Sequence, residues 1–149
     1  MNINPNIRIF LLSLIFLTLN LQCEENHDDY FPYTEVDLIL DINSDLVDLG
    51  SNESKIFSKE EYGQGYGGII LFKNAFGDYR AFDMACPHDI PDVCVVEREN
   101  SADWVLECPC CSSAFNLLNG AFPEGDSPAR HSLREYNAYV NGNWLVISN

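Results

Sequence analysis

Five of the six cysteines fall between positions 86 and 111, in two short clusters. The first is "ACPHD", with Cys86 and His88 at the spacing C-x-H, and Cys94 follows it; the second is "ECPCCSSAF", with Cys108, Cys110 and Cys111. Soft ligands packed this densely restrict a small chain to a disulfide framework, a redox thiol pair or a metal site. The arithmetic separates these readings only in part. If Cys23 is used elsewhere, five cysteines remain, an odd number that disulfides alone cannot use up. One bridge would leave three thiols and His88, a complete four-ligand set. A Cys108–Cys111 redox pair calls for a helix N-terminus to lower the thiol pKa, yet "SSAFNLLNGAF" reads as strand and turn. Zinc tolerates a three-cysteine, one-histidine set but is indicated by nothing besides ligand type.

Residues 1–22 have the form of a signal peptide. Arg8 is the only charge, and the apolar run Ile9–Leu21 spans 13 residues, against the roughly 20 needed to cross a bilayer. The run stops at Cys23, as in bacterial lipoprotein signals, so Cys23 is expected to be the lipidated first residue of an exported, membrane-anchored protein. Residues 23–35 read as an acidic tether and residues 36–149 as one domain. Without residues 1–22 the chain carries 7 basic against 23 acidic residues, a formal charge of −16. Such a surface repels nucleic acid and anionic headgroups and suits a basic redox partner.

The domain reads as all-β. "EVDLILDI" and "DWVLEC" are expected strands, and "GGIILFK" and "YRAFDM" flank the hairpin connection "NAFGD". "SAFNLLNGAF" is expected to be a strand pair turning at Asn119-Gly120. "EYNAYV-NG-NWLVIS" is expected to be a hairpin with Asn141-Gly142 at the turn. The stretch "NSDLVDLGSNESKIFSKEEYGQGYG" reads as loop, and no segment carries a sustained helical period. "GQGYGG" has the glycines of a phosphate loop but neither the lysine nor the helix. His27 and His131 read as surface histidines, Trp104 and Trp144 as packing residues.

"ACPHD…CPCCSSAF…NGAF…GDSPARHSL" resembles the Rieske [2Fe–2S] domain, whose two loops carry C-x-H and C-x-x-H. The resemblance runs from about Gly67 to the C-terminus. It implies a small antiparallel β-sandwich or barrel with a cluster-binding subdomain of two loops. It also implies a [2Fe–2S] cofactor, with Cys86 and Cys108 on the inner iron, His88 on the outer iron, and a Cys94–Cys110 disulfide joining the loops. Ser113 aligns with a serine that hydrogen-bonds a cluster sulfide, and Gly125 and Pro128 with the loop covering the cluster. The departure is Cys111, which stands at the second histidine. The implied set is therefore Cys86, His88, Cys108 and Cys111, and thiolates are iron–sulfur ligands in their own right. Phe115 stands where high-potential members have tyrosine. Nothing resembles a substrate pocket, a nucleophile–base pair or a mononuclear iron site, so the expected role is electron transfer, not independent catalysis. The contrasting reading is a cluster-free, disulfide-stabilised lipoprotein of the same fold serving as a binding or assembly module.

Overall fold

The computed structural model describes residues 31–99 and 102–149. The segment expected to be a signal peptide, Cys23 and His27 lie outside the described residues. Ten strands form two antiparallel sheets among the described residues. The larger contains β1 (Asp37–Asp41), β2 (Glu53–Phe57), β3 (Ile69–Lys73), β4 (Tyr79–Asp83), β9 (Glu135–Asn141) and β10 (Trp144–Ser148), in the order β1-β10-β9-β4-β3-β2. The smaller contains β5 (Glu97–Arg98), β6 (Val105–Glu107), β7 (Ala114–Asn116) and β8 (Phe122–Glu124), in sequence order. The all-β antiparallel reading therefore holds.

β3 explains how two cores share one sheet. Side chains alternate across a strand, so a strand covered on both faces becomes a continuous apolar run. "IILF" is such a run, and all four residues are buried. Ile70 and Phe72 join a core containing Phe82, Met84, Val96, Leu106, Phe115 and Leu117. Ile69 and Leu71 face another, containing Leu38, Leu40, Phe57, Leu145 and Ile147. Each such side chain contributes roughly 1.5–3 kcal/mol on burial. Cys86 and Cys108 belong to the first core, so the cysteine loops grow directly out of the packed interior.

The hairpin connections follow local chemistry. Asn74 Oδ1 accepts from the amides of Phe76 and Asp78 at 2.9 Å each, and Gly77 takes φ +90°, closing β3 onto β4. In the β9–β10 hairpin Asn141 pairs with Trp144, so the two turn residues are Gly142-Asn143, one position later than Asn141-Gly142. Gly142 has φ +64° at the first central position, which is where a type II′ turn requires glycine. β7 and β8 pair as expected, with a 3₁₀ turn (Leu117–Asn119) and Gly120 at φ +95° between them.

The segment read as loop holds two elements. β2 pairs with β3 along its whole length and buries Ser54 and Phe57, an edge strand too polar to stand out in sequence. A one-turn helix, α1 (Lys59–Tyr62), follows it, capped by Ser58 before and by Gly63 at φ +67° after. Four residues cannot show a helical period. Trp104 packs partly buried against the first core, whereas Trp144 is half-exposed. No helix among the described residues is long and apolar enough to cross a membrane.

Candidate metal centre

Two loops form the site. The first leaves β4 and is pinched at its base by Val96 N–H to Met84 O at 2.8 Å, the Ala85–Val95 bridge, and Cys86 N–H to Cys94 O at 2.8 Å. Inside it, Asp89 N–H donates to Cys86 O at 3.1 Å, turning the chain back over Cys86 before a 3₁₀ turn at Ile90–Asp92. The second loop joins β6 to β7. Cys108 N–H donates to Ser113 O at 2.9 Å, Ser112 N–H to Cys108 O at 2.8 Å, and Ser112 takes φ +57°. A Cys94–Cys110 disulfide ties the loops together.

That bridge leaves Cys86, Cys108 and Cys111 as free thiols. Their sulfurs and a carboxylate oxygen of Asp89 all lie within 4.8 Å of one another. Cys86 and Cys111 sulfurs are 3.7 Å apart, and Cys108 Sγ donates to Asp89 Oδ2 at 3.6 Å. Ser113, fully buried, places its hydroxyl 3.1 Å from Cys111 Sγ and accepts from Ala129 N–H at 2.9 Å. The second of these bonds fastens the loop containing Gly125 and Pro128 to the site. His88 is exposed and is not one of the four grouped residues. His131, too, is at the surface.

Burial pushes the Cys86 thiol well above its ordinary range, with the His88 backbone amide working against that rise. Burial also raises the Cys108 thiol, opposed by the amides of Cys111 and Cys110. The loops thus aim N–H donors at sulfurs whose bare anions are costly to bury. A bound cation removes that cost, because thiolate is the ligating form. Three convergent thiols, two of them facing backbone amides, fit a sulfur-ligated metal group.

The first loop is held in place by a network the sequence did not announce. Asp83, fully buried at the end of β4, accepts from Tyr66 N–H at 2.5 Å, Gly67 N–H at 2.9 Å, Ala85 N–H at 2.8 Å and Tyr136 O–H at 2.6 Å. "GQGYGG" does cradle an anion, but the anion is this protein's own carboxylate. A Cβ on Gly67 would stand 2.5 Å from Ala85 N, so glycine alone lets this strap lie against the root of the cysteine loop. Asp89 was also missed, although it stands beside His88 in "ACPHD".

No curated protein matches the chain. Among solved structures it is similar to the cyanobacterial plasma membrane Rieske protein PetC3 of Synechocystis PCC 6803, at 18% identity over 78% of this chain and 100% of that one, TM-score 0.49. It is similar to the ferredoxin of carbazole 1,9a-dioxygenase from Nocardioides aromaticivorans IC177, at 17% identity over 77% and 97%, TM-score 0.45. It also resembles the quaternary ammonium Rieske monooxygenase CntA, at 14% identity over 81% of this chain but 35% of that one, TM-score 0.49. The model of the Rieske [2Fe–2S] domain matches residues 44–137, well over half of the 149 residues and spanning both cysteine loops. That family binds a [2Fe–2S] cluster and serves in electron transfer, and this chain belongs to it.

Proposed function

We propose that this chain is an exported one-electron carrier, tethered to a membrane by lipid on Cys23. Its cluster is held by Cys86, Cys108, Cys111 and a fourth ligand from the first loop, a position the family resemblance gives to His88. The observation that carries the reading is the convergence of three free thiols from two loops while the other two cysteines of those loops are locked in a bridge. The bound cluster supplies the reversible one-electron couple.

The chain's own residues do the rest. Cys94–Cys110 keeps the loops from separating. Leu106, Phe115 and Leu117, all fully buried, exclude water from the inner side. The Ser113 hydroxyl offers a hydrogen bond at the site. Cys111 is only half-buried, which makes its side the edge nearest a docked partner. The acidic surface favours a basic redox protein over nucleic acid. Export and anchoring are supported by the short apolar opening that ends at Cys23.

Iron and acid-labile sulfide analysis of protein purified without air tests the cluster, together with electron paramagnetic resonance after reduction. Equal iron and sulfide with a reduced-state signal is expected. Colourless protein lacking sulfide would refute the reading in favour of a disulfide-stabilised module.

A further inference from the structure

Asp83 is a buried acid with no cation to balance it. Its Oδ1 accepts from the amides of Gly67 and Ala85, and its Oδ2 from the Tyr66 amide and the Tyr136 hydroxyl. Three of these partners are backbone N–H groups, which can only donate, so the network suits the acceptor-only carboxylate. The strap lies directly on it: a Cβ on Gly65 would stand 2.9 Å from Asp83 Oδ2. The basic side chains bordering the network are engaged elsewhere, Lys59 on Tyr66 O at 2.9 Å and Arg134 on Pro32 O at 3.4 Å. Among the described residues no ion pair includes Asp83.

Ala85 immediately precedes Cys86, so its bond to Asp83 at 2.8 Å fixes where the first cysteine loop begins. With consecutive Cα atoms ~3.8 Å apart, the carboxylate stands on the order of 10 Å from the Cys86 sulfur. A buried charge at that range is screened little by salt and acts through a low dielectric. A negative charge there opposes the arrival of an electron, and the donors around it offset part of that opposition. From this geometry we propose that Asp83 is a positioning residue for the first cysteine loop and a fixed negative charge that lowers the midpoint of the centre. Tyr136 moderates it, because its hydroxyl is the one side-chain dipole turned toward the carboxylate. The proposal rests on the cluster reading given above.

The test compares full-length wild-type protein with Asp83→Asn, Tyr136→Phe and the double variant, each purified without air. The readouts are iron and sulfide per chain, the rate of iron loss to a chelator, and a redox titration followed by electron paramagnetic resonance at low and high salt. Both single variants should lose stability, yet their midpoints should move in opposite directions. Asp83→Asn removes the charge and should raise the midpoint, with iron lost several-fold faster than from wild type. Tyr136→Phe keeps the charge but strips one offsetting dipole, and should lower the midpoint. The double variant should titrate close to Asp83→Asn, since no charge remains for the hydroxyl to offset. The upward shift should persist at high salt, as a buried charge requires. Midpoints that stay put, or move together, in variants retaining iron and sulfide would reduce Asp83 to a purely structural residue and overturn the proposal. If Asp83→Asn does not fold, Tyr136→Phe decides alone, and an unchanged midpoint there overturns it. Wild-type protein without iron and sulfide overturns the cluster reading and this assignment with it.

Discussion

The Tyr136 hydroxyl, buried on β9, donates to the carboxylate of Asp83 on β4 at 2.6 Å. This bond crosses the sheet just behind the first cysteine loop. Removing it with Tyr136→Phe leaves Asp83 three backbone donors, and a hydrogen bond to a charged group is worth about 1.5–3 kcal/mol. Denaturant titration should show a loss of that order. Burial, then the Asp83 charge, hold the Tyr136 hydroxyl well above the usual tyrosine range. The unfolded chain releases this proton near pH ~10, and the native state keeps it to higher pH. The stabilisation is therefore fully present below about pH 10 and falls as pH rises beyond it. Tyr136→Phe should flatten that alkaline decline; an identical slope in both proteins would rule out the linkage.

Gly67→Ala should be costly out of proportion to one methyl group. The new Cβ meets backbone at Ala85, not a side chain that can swing away. Overpacking of this kind costs typically 1–3 kcal/mol. Because Ala85 adjoins Cys86, the variant should also lose its metal faster than wild type, measured as decay of visible absorbance under a chelator. A variant as stable as wild type would mean that the strap is free to shift.

The Cys94–Cys110 bridge closes a separation of 16 residues. A loop of that size implies about 3 kcal/mol from restricting the unfolded chain. Replacing both cysteines with alanine should lower stability by that order and speed loss of the cluster. Peptide mapping of thiol-blocked protein is expected to recover Cys94 joined to Cys110. Recovery of Cys86 or Cys108 in the main bridge would count against a bound cluster.

Two-histidine Rieske centres lie at about −150 to +300 mV and plant-type all-cysteine clusters near −400 mV. Cys111 adds a negative charge where that pattern has a neutral ring. A unit charge at ~4 Å with an effective dielectric of ~20 is worth about 4 kcal/mol, or on the order of 100–200 mV for one electron. The midpoint should therefore lie between the two classes. Cys111→His should raise it by that amount, whereas Cys111→Ser should destabilise the cluster. Full iron and sulfide in Cys111→Ser would remove Cys111 from the ligand set.

Lipid on Cys23 should hold the protein on a membrane more firmly than a single acyl chain does. Cys23→Ala is expected to release it to the soluble fraction or block processing. Mass spectrometry finding an unmodified N-terminus downstream of Cys23 would end the lipid-anchor proposal.

The sequence by itself determined whatever depends on neighbours along the chain. The apolar run of "IILFK", the turn residues of "NAFGD" and the two cysteine spacings pointed to strands, hairpins and a two-loop site, because backbone conformation and ligand type are local properties. The shift of the last hairpin to Gly142-Asn143 shows the limit of that locality. Pairing across β9 and β10 sets the register, and the turn takes whichever two residues remain. β2 was invisible because an edge strand draws its stability from β3 and needs little apolar pattern of its own. Tertiary structure alone decided which polar groups meet. Asp83 gathers donors from Tyr66 and Gly67, 17 and 16 positions before it, and from Tyr136, 53 positions after it. Asp89, and not its neighbour His88, turns toward the three thiols because an amide bond inside its loop fixes the direction of the chain there. Adjacent residues differ in direction, not in sequence distance, and direction is set by the packed backbone.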